Sequence, residues 1–137
     1  MRIAVAVDGS DNALRAAEHG IILAKYLPEA YVEIIYVADM SKAKDDYLLA
    51  QNPESLVLKR EQIVHPVVLR ANNVGVETIV TVLKGNPSQE IIHHVNKSSI
   101  DQLVIGSRGL NAFQEMILGS VSHKVMKHAS CPVTVVK

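Results

Sequence analysis

The sequence predicts an α/β fold: an open, parallel five-stranded sheet in three layers, with helices on both faces. Three observations predict it. Five short segments rich in Val, Ile and Tyr alternate with stretches of helical periodicity. The first and fourth of them, and the Val133-Thr134-Val135-Val136 end of the fifth, are nearly continuous apolar runs, the mark of strands covered on both sides. Each crossover is long enough to carry a helix back over the sheet in the right-handed sense. A chain of 137 residues has room for one domain, since domains commonly run to ~100–200 residues. Residues 1–137 are therefore read as a single unit, and with 48% apolar residues the interior is well supplied.

The strands are predicted over residues 2–7, 31–37, 76–83, 100–106 and 132–136. After the first strand, Leu14, Ala17, Ile21 and Ala24 fall on one face of a helix running from Asp11 to about Tyr26. Ser10 or Asp11 can cap its start, and Pro28 stops it. The least regular section is 39–74. Leu56, Ile63, Val67 and Ala71 suggest a helix there, but Pro66 lies inside the pattern and predicts a kink or break. Residues 41–46 and Asn52-Pro53 read as loop. A further helix opens at Asn86-Pro87-Ser88-Gln89, with Asn86 as cap, proline at the first helical position and Gln89 able to reach back. Ile91, Ile92 and Val95 form its inner face. A last helix runs from Ser120 to about Ala129, buried through Val121 and Val125, and ends before Cys131-Pro132. Phe113, Met116, Ile117 and Leu118 have helical spacing and read as packing or subunit-contact residues.

Composition narrows the function. Fourteen basic and fourteen acidic residues leave a net charge of zero, so no broad field exists to attract nucleic acid or an anionic membrane. A phosphate-bearing ligand would need a local site. The opening Met1-Arg2-Ile3-Ala4-Val5-Ala6-Val7-Asp8 is too short and too soon acidic for a signal peptide. No apolar run approaches the ~18 residues of a membrane span. One cysteine, Cys131, cannot form an internal disulfide and suits a reducing cytoplasm; beside Pro132 it reads as a small buried residue. The six histidines are scattered, and His93 and His94 point different ways on a helix, so no structural zinc site is expected.

In an open parallel sheet, ligands bind beyond the carboxyl ends of the strands, where the winding reverses. The turns after the first and fourth strands are the ones to inspect, and they are the most unusual in the sequence. After the fourth, three of the seven glycines fall at Gly106, Gly109 and Gly119. Glycine lets backbone amides approach a bulky anion. Gly119-Ser120 also opens a helix, where unpaired N–H groups and the dipole favour negative charge. Spacing alone equally allows a strand-ending turn, a loop residue and a helix cap. Asp8 can be a metal-assisting carboxylate, a ribose or adenine contact, or a turn residue. Arg108 can pair with phosphate or lie solvated. A cation at Lys124 opposes the helix dipole and reads as a solvent-facing residue or as a partner for a bound polyanion. A lysine-bearing P-loop, a dinucleotide-binding Gly-x-Gly-x-x-Gly, a pyrophosphatase loop and a nucleophile elbow are all missing from the sequence.

Gly106-x-x-Gly109, nine further residues and Gly119-Ser120 resemble the Gly-2x-Gly-9x-Gly-Ser signature of ATP-binding universal stress proteins. The likeness continues through Val5-Ala6-Val7-Asp8-Gly9-Ser10, Tyr36-Val37, Gly85-Asn86-Pro87 and Cys131-Pro132-Val133-Thr134-Val135-Val136. The resemblance implies a strand order 3-2-1-4-5, with the switch point between the first and fourth strands. It also implies an ATP site, with or without Mg²⁺. Val7, Asp8, Gly9 and Ser10 would line its adenine and ribose side, and Val37 would meet the adenine. Gly106, Ser107, Arg108 and Gly109 would wrap ribose and phosphates. Gly119, Ser120, Val121 and Ser122 would hold the outer phosphates, and Gly85 and Pro87 would shape the neighbouring wall. The resemblance further implies a homodimer through the edge strand Val133–Val136, and an apolar exposed edge independently favours pairing. The expected role is a nucleotide-responsive stress switch rather than a fast enzyme. The alternatives are slow ATP hydrolysis and a nucleotide-free interaction module.

Overall fold

The computed structural model describes residues 1–39, 53–109 and 118–137. Its elements run β1 (Arg2–Val7), α1 (Asp11–Tyr26), β2 (Tyr31–Asp39), α2 (Pro53–Asn73), β3 (Thr78–Gly85), α3 (Pro87–Lys97), β4 (Gln102–Gly106), α4 (Ser120–His128) and β5 (Val133–Val136). All strands pair in parallel, in the order β3-β2-β1-β4-β5, as the resemblance implies. The 41–46 loop and the apolar residues Phe113, Met116 and Ile117 lie outside the described residues.

Two cores sandwich the sheet. On one face α1 and α2 bury Ala16, Ala17, Ile21, Val64, Val67 and Ala71 against Ile3, Val5, Val32 and Ile34. On the other, α3 and α4 bury Ile91, Val95 and Val125 against Ala4, Ile35, Leu103 and Ile105. Alternate residues of β1, β2 and β4 thus feed opposite cores, which is why β1 and β4 read as nearly continuous apolar runs. Gly20 brings α1 close: a Cβ there would lie 2.5 Å from Val5 Cγ1.

Several boundaries differ from the sequence reading for identifiable reasons. β2 runs two residues past Val37 because β3 continues beside it, pairing Ala38 with Lys84 and Asp39 with Gly85. β3 starts at Thr78 rather than 76: Val76 is buried, but its N–H bonds Ala71 O at 2.9 Å and closes the turn after α2. Ile100 likewise bonds Ser98 O at 3.0 Å before β4 begins. Helix α2 passes unbroken through Pro66 and starts at Pro53. Proline removes only one helical N–H, and the flanking Val64 and Val67 are pinned against the sheet, so packing carries the helix through.

Within the apolar run of β2 sits a carboxylate that periodicity alone does not mark as buried. Glu33 is 0% exposed. Its Oε2 accepts from Arg2 Nη2 at 2.8 Å and Thr81 Oγ1 at 2.6 Å, and lies 3.1 Å from His94 Nε2. Burial pushes this carboxyl up, but the contacts from Arg2, Thr81 and His94 together outweigh it and hold Glu33 below the usual glutamate range. The cluster ties α3 to the sheet at the end away from the strands' carboxyl edge.

Candidate functional site

A cleft of about 350 Å³ opens at the carboxyl ends of β1, β2 and β4, between the N-termini of α3 and α4, the position that the strand order dictates. Its walls are built from turns that the local sequence fixes. After β1, Asp8 Oδ1 accepts the N–H of Ser10 at 2.9 Å, and the turn needs φ +90° at Gly9, a conformation glycine adopts freely. Ser10 then caps α1, accepting from Ala13 N at 3.2 Å. After β3, Asn86 caps α3 by accepting from Gln89 N at 3.2 Å, and its Oδ1 also accepts from Ser88 Oγ at 2.8 Å.

The third wall carries the glycines. At Gly106 a Cβ would fall 2.8 Å from the Asn12 carbonyl carbon and 3.0 Å from Ala13 N. Only a residue without a side chain lets β4 end so close to the backbone of α1. Ser107 then anchors the loop through its main chain: its N–H bonds Val136 O at 2.7 Å, and its carbonyl accepts from Gly119 N at 2.7 Å. The second bond docks the 106–109 loop on the start of α4. A Cβ on Gly119 would sit 3.4 Å from Arg108 Cα and 3.7 Å from Gly109 N. Gly109 in turn leaves room for Asp8, whose Oδ2 would lie 2.8 Å from a Cβ there.

Helix α4 differs from α1 and α3 at its N-terminus. Its cap is Gly119, which offers no side-chain acceptor, and its first turn holds no acidic residue. First-turn N–H groups have no intrahelical acceptor, and Ser120, Val121 and Ser122 line the cleft at the positive end of the helix dipole. Ser120 is the first helical residue rather than the cap. Ser122 lines the cleft, but its hydroxyl is buried and donates to Gly106 O at 2.6 Å. It braces the glycine loop from below.

Of the sequence-predicted residues, Val7, Asp8, Val37, Pro87, Gly106, Arg108, Gly109, Gly119, Ser120, Val121 and Ser122 line this cleft. Gly9 and Ser10 line a smaller cavity of about 100 Å³ beside it, with Ile63 and Pro66. Gly85 and Ser107 line neither. Gly85 turns the chain at φ +133° against the Glu90 side chain, and Ser107 acts through its backbone. Sequence reasoning missed Asp39, Lys59 and Ile63, which line the cleft from β2 and α2. No local signal marks Lys59 and Ile63, which reach the cleft only through the placement of α2. Lys124 also reaches the lining. Among the described residues no group of three or more His, Cys, Asp or Glu could hold a metal ion, and no helix is long and apolar enough to cross a membrane.

Comparison with known proteins agrees with this architecture. The universal stress protein family profile matches residues 1–137. A universal stress protein of Methanocaldococcus jannaschii is 36% identical over 99% of this chain and 81% of its own length. The universal stress protein YxiE of Bacillus subtilis is 32% identical over 99% and 98%. Among solved structures, the hypothetical protein MJ0577 superposes with a TM-score of 0.87 at 26% identity, covering 99% of this chain and 94% of that one. A universal stress protein of Archaeoglobus fulgidus, solved in complex with dAMP, has a TM-score of 0.74 at 23% identity, covering 100% and 98%. An Arabidopsis thaliana family member, solved with AMP bound, has 0.71 at 24%, covering 100% and 91%. With the glycine-bearing cleft at the switch point of a 3-2-1-4-5 sheet, the chain belongs to the universal stress protein family.

Proposed function

We propose that this protein binds ATP, with or without Mg²⁺ on its phosphates, as a nucleotide-responsive regulatory switch rather than an enzyme of rapid turnover. The observation that carries the reading is the docking of the 106–109 loop, through Gly119 N to Ser107 O, onto a helix N-terminus without a side-chain cap. This brings two sets of backbone around one cleft. Such N-termini are ready anion sites, and about 350 Å³ falls in the range of small-molecule pockets, ~300–1,000 Å³. Val7, Asp8 and Val37 would meet the base and ribose. The glycine loop would hold the inner phosphate, and the first turn of α4 the outer ones. The solved relatives from A. fulgidus and A. thaliana, which carry dAMP and AMP, support an adenine nucleotide as the ligand class.

The same bonds suggest how occupancy is read out. A ligand shifts a conformation only by its difference in affinity between states. Ser107 joins the phosphate loop to β5 through its 2.7 Å bond to Val136 O, so ordering the loop acts directly on an edge strand. In this proposal β5 pairs with its mate in a homodimer, and the nucleotide adjusts that contact. A cytoplasmic setting belongs to the same proposal, supported by the single Cys131, half-buried and with its thiol pushed up by burial.

Titration calorimetry with ATP tests the reading, using the parent and Gly119→Val. A Cβ at 119 is tolerated, with nothing nearer than 3.4 Å, but the two methyls of valine crowd the loop amides. The parent should bind. The variant should stay folded by circular dichroism and lose at least ~10-fold in affinity, the scale of one charge-assisted hydrogen bond. Equal ATP affinity in a folded Gly119→Val protein would remove the phosphate assignment.

A further inference from the structure

Lys124 has no part in the glycine signature, yet it lines the cleft. It lies four residues past Ser120 and three past Val121 on α4, the spacing that places residues on one helix face. Both of those residues line the same cleft. Helical side chains lean toward the N-terminus of their helix, a direction that aims the flexible stem of Lys124 at the first turn. There it meets the positive end of the dipole. No acidic residue in that turn offsets it, and among the described residues no carboxylate forms an ion pair with it. Two positive features facing one space repel each other unless an anion lies between them.

We propose that Lys124 sets the specificity of the site for the length of the phosphate tail. This rests on the nucleotide function proposed above. The inner phosphate of any adenine nucleotide belongs to the 106–109 loop. Only a chain of two or three phosphates extends over the first turn of α4, under the Lys124 ammonium. The lysine therefore strengthens binding of ATP and leaves AMP unaffected, and the site discriminates by charge at its far end rather than by shape.

The test is calorimetry at one fixed ionic strength with ATP and AMP, on the parent, Lys124→Gln and Lys124→Arg. Lys124 is exposed, so the substitutions leave the core untouched. Lys124→Gln should weaken ATP roughly 10-fold, as expected for one charge-assisted contact, and leave AMP within about twofold. Lys124→Arg should keep most of the ATP affinity. If Lys124→Gln leaves ATP binding intact, or weakens ATP and AMP by the same factor, the lysine does not read the tail, although the site still binds nucleotide. If the parent binds neither nucleotide, the proposed function itself fails, and this inference with it.

Discussion

Replacing Gly106 with alanine adds one methyl at the seam between β4 and α1. That methyl would lie 2.8 Å from the Asn12 carbonyl carbon, 2.9 Å from its oxygen and 3.0 Å from Ala13 N. Carbon atoms rest at ~3.5–4.0 Å, so strand and helix must part by roughly 0.5–1 Å. No side-chain rotation relieves the overlap, because the three nearest atoms are all backbone. β4 is held between β1 and β5, and α1 is fixed by its Ser10 cap and its buried face. Overpacking of this kind costs ~1–3 kcal/mol, a fall of roughly 3–12 °C in Tm for a chain of this length. Because α1 begins directly after Asp8-Gly9-Ser10, the displacement also opens the cleft, and ATP affinity should fall about 10-fold. Gly119→Ala is the control. Its methyl finds only ordinary contacts, from 3.4 Å outward, so its loss should stay below ~1 kcal/mol, the scale of a glycine-to-alanine change at an N-cap. Scanning calorimetry with a parallel ATP titration measures both. A Gly106→Ala protein that melts with the parent would refute the close approach of β4 to α1.

Three other outcomes follow from the packing. Gly20→Ala gains ~1 kcal/mol of helix propensity, but its methyl meets Val5 Cγ1 at 2.5 Å. A net loss of ~1–2 kcal/mol is expected, and a double-mutant cycle should show that Val5→Ala costs less in the Gly20→Ala background than in the parent. Because Glu33 is held below the ordinary value of 4.5, its contribution to stability is complete above that pH and is lost as pH falls through the lower folded value. Urea midpoints should therefore drop more steeply on acidification in the parent than in Glu33→Gln; identical slopes would show that this carboxylate is not the coupled group. The half-exposed edge Val133–Val136 should pair with a second copy, giving twice the 14.9 kDa chain mass in sedimentation at high micromolar concentration, whereas a strict monomer there would exclude the dimer.

What the sequence revealed was whatever neighbouring residues decide among themselves. Ser10 and Asn86 cap their helices within three residues of the amides they meet, and Pro87 opens α3 where its missing N–H has no cost. The apolar runs of β1 and β4 implied burial on both faces. What escaped depends on distant partners. Glu33 is stabilised by Arg2, Thr81 and His94, which lie 31, 48 and 61 residues away in the chain, so a local window sees only a charge in an apolar strand. Pro66 predicts a break by local rules, and the sheet-facing Val64 and Val67 override it. Within the cleft the glycines and Asp8 were legible from their turn chemistry. Lys59 and Ile63 were not, because they reach the site only through the placement of α2.

The central claim is that the amides of the glycine loop and of the α4 first turn converge on one phosphate-bearing ligand. Backbone amide chemical shifts recorded by NMR during an ATP titration test it at residue level. The largest shifts should fall on Gly109, Ser120 and Val121, while Gly75, in the turn between α2 and β3 at the opposite edge of the sheet, stays in place. Saturating ATP that leaves Ser120 and Val121 unmoved, or shifts gathered around Gly75, would contradict it.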